Sequence, residues 1–565
     1  MLSIRNIGVI GRTYRHLNRY RQILGVFLKY GFGDLLNTLK IDQYIEVGLQ
    51  MISRKTAVRE ERLTRPQRVR LALEELGPTY IKLGQILSTR PDLIPAEFVD
   101  ELALLQDAVP PFDFSAAEAL IRQEFGVEPA ELFERITPEP VASASIGQVH
   151  RAVLKSGEPV AVKFRRPGIQ ELIEVDLEIM LHLATLAERH VEELAPHRPV
   201  KIVEEFARTL EKEIDFKIEA ANIERIAGHF TNDPTVRIPA VYRGCSTSRV
   251  LTSEYVEGIK ISRIEALDAA GHNRRTLCSR GADLVLRQVF DHGVFHGDPH
   301  PGNIFALPGD VIGLVDFGII GVVDRRTRDL FVDLVDAVVH RNESRTVLAL
   351  LALTTRDFEP DQRMLEREVA DFIGRHFFKP LSEIELGRIL QELLELAARF
   401  QLRIPPDLFL MFKALSAIES IGRRLDPEFD IFARAAPFIQ RVKLERLDPS
   451  RIAEDAGEAL SRLMHFANQF PADLLELARL IRQQRLTVQV ENRGLERTLS
   501  THDQISNRIA FAIIIAALIV GSAMIVISKT PPLAYDISLI GIIGFLAAAV
   551  MGIWLLVAIL RSGRL

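Results

Sequence analysis

Cysteine is scarce in this chain, and its scarcity excludes two kinds of structure. The 565 residues include two cysteines, Cys245 and Cys278, and neither belongs to a CxxC pair. Neither a structural zinc site nor a framework of disulfides is therefore indicated, and the composition suits a reducing cytosol. An excess of charge of one sign is also lacking. The formal net charge is −5, which gives no general argument for binding nucleic acid.

No secretory signal is recognisable at the start of the sequence, where basic charge accumulates instead. The early apolar stretch Ile23–Leu28 is short and flanked by charge. The first thirty residues contain no acid and carry these cations: Arg5, Arg12, Arg15, Arg19, Arg21 and Lys29. The apolar residues between them suit a segment that lies on an anionic membrane surface, and a solvated basic tail is the alternative. We treat residues 1–55 as a basic, membrane-proximal segment.

Charge is absent from two long stretches near the other end. Ile509–Ser528 has twenty residues and Ile537–Leu560 has twenty-four, all of them uncharged. Each is long enough to cross a hydrocarbon core of roughly 30 Å as a helix. Pro531–Pro532 lies between them and predicts a tight hairpin. A pair of buried core helices is the alternative, but soluble helices rarely run this long without charge.

The cations around these spans predict their orientation. The flanking and connecting charges are Arg493, Arg497, Arg508, Lys529, Asp536, Arg561 and Arg564. Because the connecting loop has one cation offset by one acid, the positive-inside rule places both ends of the hairpin in the cytoplasm. We therefore expect a multi-pass protein of the cell inner membrane, with two C-terminal spans and residues 1–500 in the cytoplasm.

The rest of the sequence predicts strands first and helices afterwards. The strand candidates are PVAVKF, ending near Lys163, then Val250–Val256 and Val311–Val315. Residues 330–440 show apolar residues at three- and four-residue spacing, for example in Ile389–Phe400. Residues 440–500 are also predicted to be helical, with interruptions at Pro471 and Gly494. This order is typical of an α+β lobe followed by an α lobe.

Three short motifs occur in the order and context of a protein kinase. Lys163 ends the apolar run VAVK, from which an ammonium can reach phosphate oxygens. Asp298 and Asn303, in HGDPHPGN, have the spacing of a catalytic loop that needs a carboxylate near the attacking hydroxyl and an amide oxygen for a metal. Asp316 opens Asp-Phe-Gly after the strand VIGLV, where it can hold Mg²⁺. Each motif alone is common by chance, but together they predict a kinase-like site.

A helix is predicted over the acidic segment Leu210–Ile226. Its Glu213 and Glu219 are both candidates to pair with Lys163 and direct it toward phosphates, and a solvated charged helix is the alternative.

A metal site is the competing interpretation of the catalytic loop. His292, His296 and His300 recur at a spacing of four, which on a helix gathers metal ligands. Two glycines and two prolines interrupt any helix there, which disfavours this interpretation.

With these motifs the chain resembles the UbiB family of atypical kinases, which is tied to ubiquinone and related prenylquinone biosynthesis. Lys82-Leu83-Gly84-Gln85 matches the KxGQ signature of that family, and the resemblance implies that this extension folds over the cleft. Val141–His150 resembles the alanine-rich loop that the family has in place of a glycine-rich one. Side-chain Cβ atoms restrict how closely such a loop wraps phosphates, so the preference between ATP and ADP is left open. Glu213-Ile214-Asp215 resembles the ExD motif of the family.

The resemblance also implies roles for single residues. Glu219 pairs with Lys163, and these two are catalytic together with Asp298. Asn303 and Asp316 hold Mg²⁺. The nucleotide-binding candidates are Ala142, Ser143, Ala144, Ser145, Lys163, Glu254 and Val256. The regulatory candidates are Lys82, Gln85, Glu213 and Asp215, with Glu213 lying near Lys82.

The expected fold is α+β, protein-kinase-like and bilobal. Its parts are a helical KxGQ extension (56–125), an N-lobe with inserted helices (126–258), a helical C-lobe (259–440), a helical linker (441–505) and the transmembrane hairpin (506–565). No Ala-Pro-Glu and no long activation loop follow Asp316, which weakens the prediction of a peptide-docking platform.

We expect a membrane-anchored atypical kinase or ATPase that binds Mg-ATP and supports ubiquinone synthesis. A non-catalytic, nucleotide-sensing scaffold of a membrane complex and a small-molecule phosphotransferase are the alternatives. Expected partners are membrane lipid and either prenylquinone precursors or the enzymes of quinone synthesis, but no nucleic acid. A homodimer is left open.

Overall fold

The computed structural model describes residues 14–39, 63–88, 90, 93–105, 109–191, 198–356, 359–376, 384–482, 495–528, 530–534 and 537–561. The predictions for residues 1–13 and 40–62 lie outside this part of the chain, as do those for Arg493, Lys529, Asp536 and Arg564. The chain divides into two compact units, Met1–Ala453 and Glu454–Leu565.

Helices open the first unit and contain the KxGQ residues. They are α1 (Tyr14–Lys29), α2 (Gly33–Thr38), α3 (Arg65–Leu76), α4 (Pro78–Leu87) and α5 (Ala96–Leu102). A capping box starts α3, since Thr64 accepts from the Gln67 N–H while the Gln67 side chain accepts from the Thr64 N–H. Gly84 in α4 permits close packing, because a Cβ there would lie 2.2 Å from Leu105 Cδ1. A methyl group at this position would cost ~1–3 kcal/mol through overpacking.

An antiparallel sheet forms the core of the first lobe. Its strands are β1 (Phe133–Ile136), β2 (Ala142–Ser143), β3 (Gly147–Leu154), β4 (Pro159–Arg165) and β6 (Val250–Glu254), in the order β1-β3-β4-β6 with β2 on β3. Val160, Val162 and Phe164 are buried together with residues of α6 (Phe114–Phe125), and α7 (Pro129–Leu132) precedes β1. Because side chains alternate along a strand, Lys163 lies on the opposite face of β4 from this core.

Three helices follow β4, and they correct one prediction. They are α8 (Ile169–His190), α9 (Pro199–Glu213) and α10 (Phe216–His229). The single helix predicted over Leu210–Ile226 is wrong, because Asp215 takes an extended conformation and accepts a hydrogen bond from the Lys217 N–H at 3.0 Å. A short polar side chain in that position is a helix N-cap. Glu213 therefore ends one helix, and Glu219 lies in the first turn of the next.

An ion pair of Arg19 and Asp176 fixes α1 to the rest of the lobe. Arg19 donates to both carboxylate oxygens of Asp176, at 2.7 and 2.9 Å, and also to the Leu76 carbonyl at 2.7 Å. Asp176 is completely buried. Removing Arg19 would leave an uncompensated buried charge, which typically costs ~3–5 kcal/mol.

Short strands position the loops of the second lobe. They are β5 (Val236–Arg237), β7 (Ile259–Lys260), β8 (Val294–His296), β9 (Ile304–Leu307), β10 (Val311–Leu314) and β11 (Ile320–Val322), and a 3₁₀ turn spans Arg243–Cys245. Four strands pair in the order β5-β10-β9-β7, and β8 pairs with β11. The loop between β8 and β9 is held beside the end of β10, because the Val315 N–H donates to the Asn303 carbonyl at 3.0 Å.

Helices complete the first unit, as predicted for residues 330–440. They are α11 (Ile264–Ala269), α12 (Arg274–Leu286) with a π-helical turn at Arg287–His292, α13 (Arg325–Val339), α14 (Glu343–Leu353), α15 (Gln362–His376), α16 (Leu386–Arg399), α17 (Pro406–Leu425) and α18 (Ile431–Glu445). The buried Glu419 of α17 accepts from the N–H groups of Leu386 and Gly387, at 3.0 and 3.1 Å. A carboxylate at the start of α16 stabilises that helix through its dipole.

The second unit contains the apolar helices. The long helix α19 (Pro449–Arg482) begins in the last residues of the first unit and runs through Pro471 without the predicted interruption. The interruption predicted at Gly494 lies outside the described residues. The helices α20 (Leu495–Ile527) and α21 (Leu539–Arg561) follow. Short strands β12 (Leu533–Ala534) and β13 (Ile537–Ser538) connect the last two helices. Gly544 lets α21 approach α20, since a Cβ there would lie 2.1 Å from Ser522 Oγ.

One helix of the described residues is long and apolar enough to cross a membrane. It is Ile509–Ile527, with a mean hydropathy of 2.9 and 6% of its residues buried. Leu539–Leu555 is a shorter apolar helix. One candidate span is therefore present, and the second span stays a prediction.

Candidate functional site

Lys163 and Glu219 form the centre of the candidate site. The Lys163 Nζ lies 3.0 and 2.9 Å from the two carboxylate oxygens of Glu219, and 5.3 Å from the centre of the Phe216 ring. Burial alone lowers the pKa of Lys163, but the carboxylates of Asp316 and Glu219 raise it above its usual value. Burial raises the pKa of Glu219, and Lys163 opposes that effect. With both oxygens so close to the ammonium, we regard Glu219 as the charged partner of an ion pair.

Asp316 stands on the other side of the same ammonium. Its Oδ1 lies 3.6 Å from Lys163 Nζ, and its side chain is 53% exposed. Its backbone is left-handed, with φ 61°, which an aspartate tolerates better than most residues. The chain around it is fixed, because Phe317 is fully buried and its carbonyl accepts from Asn222 Nδ2 at 2.9 Å. Lys163 lowers the pKa of Asp316 to about 2, so its carboxylate is charged at neutral pH.

The loop after β8 presents Asp298 and Asn303. The Asp298 N–H donates to His296 Nδ1 at 3.1 Å, and the Asp298 carbonyl accepts from the His300 N–H at 2.8 Å. Asn303 is 8% exposed, and its Nδ2 donates to the Asp298 carbonyl at 3.4 Å. Within the described residues no hydrogen bond reaches the side-chain oxygen of Asn303. That oxygen and the Asp316 carboxylate are the donor types that Mg²⁺ prefers.

The alanine-rich loop is a tight hairpin at the edge of the first-lobe sheet. Ala142 and Ser143 pair with β3, and the Ala144 N–H donates to the Gly147 carbonyl at 2.8 Å. Ser145 is completely buried, and within the described chain its hydroxyl has no hydrogen-bond partner. Gly147 is required there, because a Cβ would lie 2.5 Å from the Phe164 carbonyl oxygen.

Arg166 holds this loop, and the sequence did not single it out. Its guanidinium donates to the Ala144 carbonyl at 3.3 Å and to the Pro110 carbonyl at 3.1 Å. It also lies 5.4 Å from the centre of the Phe112 ring. Arg166 therefore joins the alanine-rich loop to residues 110–112 of the N-terminal extension, as does Gln148, whose side chain bonds the backbone N–H and carbonyl of Phe112.

Glu254 and Val256 lie where β6 leads into the second lobe. Both carboxylate oxygens of Glu254 are engaged, one by Arg237 at 2.6 Å and the other by the Ala240 N–H at 3.2 Å. The Glu254 carboxylate therefore has a structural role and is not available to bind nucleotide. Among the described residues the backbone groups of Val256 have no hydrogen-bond partner, so they are the better candidates to contact a ligand.

The four regulatory candidates divide into two groups. Lys82 Nζ lies 2.6 Å from Glu213 Oε1, and the two side chains are 13% and 14% exposed. Gln85 instead donates to the Leu105 carbonyl at 3.3 Å within the extension, and Asp215 caps α10. The structure therefore brings Lys82 and Glu213 together and gives Gln85 and Asp215 local contacts.

Sequence comparison assigns these residues to a family. Residues 104–350 match the ABC1 atypical kinase-like domain, residues 369–430 the UbiB helical domain, and residues 493–561 the ABC1/UbiB kinase-like C-terminal domain. A "Probable protein kinase UbiB" of Pseudomonas fluorescens strain SBW25 is 34% identical over 465 residues, which are 81% of this chain and 87% of that protein. The chain belongs to the ABC1/UbiB family.

Other relatives extend the match to nearly the whole chain. A "Probable protein kinase UbiB" of Shewanella piezotolerans is 33% identical over 92% of this chain and 94% of that protein. An "Uncharacterized protein in hydrogenase 1 5'region" of Clostridium pasteurianum is 30% identical over 97% of this chain and 99% of that protein. A solved structure of Rv3197 with erythromycin, from Mycobacterium tuberculosis, is 24% identical and covers 64% of this chain and 92% of that chain, with a TM-score of 0.46.

The family confirms the predicted fold class, α+β and kinase-like, and it separates the site residues into two regions. The kinase-like region 104–350 contains Lys163, Glu219, Asp298, Asn303 and Asp316. One further side chain reaches the site from the UbiB helical region. Lys413 of α17 lies 2.8 Å from Asp298 Oδ1, a contact that no sequence motif pointed to. A lysine more than a hundred residues away, on a helix that also carries Asp407, Glu419, Arg423 and Arg424, gives no local signal of such a contact.

The three histidines of the competing metal interpretation have separate contacts. His292 stacks on His229, His296 contacts the Val315 carbonyl at 3.2 Å, and His300 accepts from the Gly302 N–H. Within the described residues no group of three or more His, Cys, Asp or Glu side chains could hold a metal ion.

Proposed function

We propose that this UbiB-family protein binds Mg-ATP at the Lys163–Glu219–Asp316 cluster and hydrolyses it or transfers its terminal phosphoryl group. The observation that carries the proposal is the pair of contacts made by Lys163 Nζ, 2.9 Å from Glu219 and 3.6 Å from Asp316. The buried carboxylate of Glu219 and the exposed carboxylate of Asp316 fix the position of the Lys163 ammonium between them. An ammonium held there neutralises phosphate charge without reorganisation.

The residues present fit magnesium. Asp316 offers an exposed carboxylate and Asn303 an amide oxygen that no described residue engages. Mg²⁺ usually takes one or two such protein oxygens and completes its shell with waters and substrate phosphates. When bound, the ion would supply charge neutralisation at the phosphates. The chain itself supplies Lys163 for the phosphates and Asp298 to orient the attacking hydroxyl or water.

Two features bear on which nucleotide is preferred. The alanine-rich loop carries Cβ atoms where a glycine-rich loop has none, so its amides approach phosphates less closely. Arg166 also holds the loop against the extension. We therefore propose ATP as substrate and leave a tighter complex with ADP as an outcome of binding measurements.

We further propose that the reaction takes place at the cytoplasmic face of a membrane and supports ubiquinone or related prenylquinone synthesis. The candidate span Ile509–Ile527 and the apolar helix Leu539–Leu555 support anchoring. Polyprenylated precursors are strongly apolar and stay in the bilayer, so an enzyme that serves them benefits from a place at its surface. The family name UbiB of the relatives above is consistent with this purpose.

A non-catalytic, nucleotide-sensing scaffold is the second candidate, since it needs no surface on which to dock a peptide. Eight residues separate Asp316 from the first residue of α13, Arg325, so no long activation loop is available to dock a peptide. This short connection argues against an ordinary protein kinase rather than against hydrolysis.

Phosphate release by the full-length, detergent-solubilised protein separates the two candidates. We expect Mg-ATP hydrolysis by the wild type and a loss of about 10²–10⁴-fold in Asp298→Asn, the usual contribution of general base catalysis. Nucleotide binding should persist in that variant, because Asp298 is not a ligand of the phosphates in this proposal. Binding without hydrolysis and without transfer of phosphate to an acceptor in a membrane extract would favour the scaffold.

A further inference from the structure

Among the described residues, a single side chain from outside its own loop holds the carboxylate of Asp298. Lys413 Nζ lies 2.8 Å from Asp298 Oδ1, and both side chains are 35% exposed. The backbone of Asp298 is fixed by His296, His300 and Asn303. These bonds set the position of its Cα but leave the direction of its carboxylate undetermined. In the part of the chain that the structure describes, Lys413 is the contact that determines this direction.

Helix α17 holds Lys413 firmly at that place. Met411, Phe412, Ala414 and Leu415 on either side of it are all buried. The Phe412 ring packs 5.7 Å from that of Phe331 in α13. At the start of α17, Asp407 accepts from the Val322 N–H at 3.1 Å, just after the segment that carries Asp316. The helix is therefore fixed to the same strands and loops that carry the candidate site.

The exposure of the pair indicates that its purpose is geometric rather than stabilising. Partly exposed ion pairs contribute little to stability, because solvent screens them and both side chains lose rotamer freedom. A group that must act on an attacking water, however, loses most of its effect when it is misplaced by an ångström.

We propose that Lys413 is a positioning residue for the phosphoryl chemistry of this site, and that it acts by fixing the Asp298 carboxylate. This inference rests on the proposed function. In hydrolysis the water oxygen bonds to the terminal phosphorus while the bond from that phosphorus to the bridging oxygen breaks. The electrons of the broken bond leave with ADP, and the water proton passes to Asp298 and then to solvent. Lys413 keeps the accepting oxygen in line for that proton.

The UbiB helical region would then supply a part of the site that the kinase-like region lacks. Lys413 lies in residues 369–430, whereas Asp298 lies in residues 104–350. The catalytic loop has no cation adjacent to Asp298, since the flanking residues are Gly297 and Pro299. A helix inserted later in the chain provides the charge instead.

Steady-state hydrolysis of Mg-ATP by full-length protein in detergent tests the role. We expect Lys413→Gln to lower kcat by about 10–100-fold with the KM for Mg-ATP within about twofold of the wild type, because the change acts on the attacking group rather than on nucleotide binding. Lys413→Arg should recover part of the loss. Arg424→Gln removes an exposed cation from the same helix and should have no effect.

A double-mutant cycle separates action through Asp298 from a direct effect on phosphate. If Lys413 works through Asp298, the double variant Asp298→Asn with Lys413→Gln should be no slower than Asp298→Asn alone. If the losses in kcat of the two single variants multiply in the double variant, the positioning role is overturned. Wild-type kcat in Lys413→Gln would overturn the inference as well, with the proposed function left standing.

Zero-length cross-linking gives a readout that needs no activity. A carbodiimide converts a touching lysine and carboxylate into an amide with loss of one water, which mass spectrometry of the digested protein detects. We expect the Lys413–Asp298 cross-link in nucleotide-free protein, beside those of Lys82–Glu213 and Lys163–Glu219 as internal references. If both reference cross-links form and the Lys413–Asp298 cross-link does not, the inference is overturned. A wild type that forms all three cross-links but neither releases phosphate nor transfers it from ATP to an acceptor in a membrane extract would overturn the proposed function, and the inference with it.

Discussion

Lys82 of the N-terminal extension and Glu213 at the end of α9 form an ion pair of 2.6 Å in which both side chains are more than four-fifths buried. Two residues after Glu213, Asp215 starts the helix that carries Glu219. The extension is therefore tied to the helices that position Glu219, through this contact and through Arg90, which lies 3.1 Å from Glu205 on α9. The charge of Lys82 also contributes to lowering the pKa of Asp316. A substitution at Lys82 should therefore affect the site in two ways. It should loosen α9 and α10, which position Glu219, and it should remove a positive charge that acts on Asp316.

Releasing this contact should change activity. We predict that Lys82→Ala raises phosphorylation of the protein by itself, because a loosened extension uncovers the cleft. Incorporation of radiolabel from ATP measures the effect. Lys212→Ala is the matched control, since Lys212 is an exposed neighbour of Glu213 on the same helix. Unchanged incorporation in Lys82→Ala, with nucleotide binding intact, would count against an inhibitory extension.

Asp316 should be required for binding of Mg-ATP. We predict that Asp316→Asn abolishes the rise in thermal unfolding temperature that Mg-ATP produces, because the amide removes the charge that holds the ion. Asp310→Asn is a matched control, since Asp310 is also left-handed, with φ 58°, and contacts His272 on another element. Equal stabilisation of wild type and Asp316→Asn would refute the assignment of the metal site.

The placement of the candidate residues on local strands and loops was largely predictable from sequence, whereas the long-range contacts of the site were not. The motifs located Lys163, Asp298, Asn303 and Asp316, because each is set by a strand or loop of a few residues. Among the two glutamate candidates, family resemblance favoured Glu219, and the structure places it at Lys163. The sequence pattern gave one helix for Leu210–Ile226, since its periodicity continues across Asp215. The cap interrupts that helix because its bond to Lys217 N–H replaces a helical one.

The contacts of Lys413 and Arg166 could not be predicted from the sequence. Lys413 meets Asp298 across a separation of 115 positions, and Arg166 joins three segments through its guanidinium. Neither belongs to a motif or to a periodic pattern. Their contacts follow from how helices and loops pack, which depends on the whole core rather than on neighbouring residues.

Cys278 should be unreactive in the native protein. Burial raises the pKa of its thiol to about 12, and its sulfur donates to the Gly422 carbonyl. The thiolate is the reactive form, so at pH 8 only roughly one thiol in ten thousand is ionised. Because the folded pKa is raised, the stabilising effect of the neutral thiol is present below pH 9 and is lost as the pH rises toward 12.

A thiol reagent measures this directly. We expect Cys245 to react slowly at pH 8, since burial raises its pKa as well. We expect Cys278 to react only after the protein has been unfolded. Cys245→Ser isolates the second thiol. Two thiols that react quickly in the native protein would contradict the burial of Cys278.

The topology of the apolar helices can be tested with the same chemistry. We predict that a cysteine introduced after Arg561 is labelled from the cytoplasmic side, because the cations around the hairpin favour that orientation. The Cys245→Ser variant is a suitable background for this labelling, because its one remaining native cysteine, Cys278, is buried. A cysteine placed between Pro532 and Ile537 should be labelled from the opposite side. Labelling of both positions from one side would refute a hairpin with two spans.

Loss of the protein should lower the quinone content of the cell. We predict a fall in ubiquinone or a related prenylquinone and accumulation of an earlier precursor, because the proposed anchor would hold the protein at the bilayer, where polyprenylated precursors stay. Deletion of the gene followed by mass spectrometry of extracted lipids measures both quantities. Normal quinone with no precursor would defeat the proposal and leave a role in lipid homeostasis without quinones.

Complementation of that deletion then distinguishes chemistry from scaffolding. Wild type should restore the quinone, whereas Asp316→Asn should not, since its nucleotide site is lost while the helices of the second unit are unchanged. Asp298→Asn sharpens the test, because it keeps Lys163, Asn303 and Asp316 and should still bind nucleotide. A scaffold that senses nucleotide needs binding alone, so it would work with Asp298→Asn. Full rescue by Asp298→Asn and none by Asp316→Asn would therefore show that nucleotide occupancy, rather than phosphoryl chemistry, is what the cell requires.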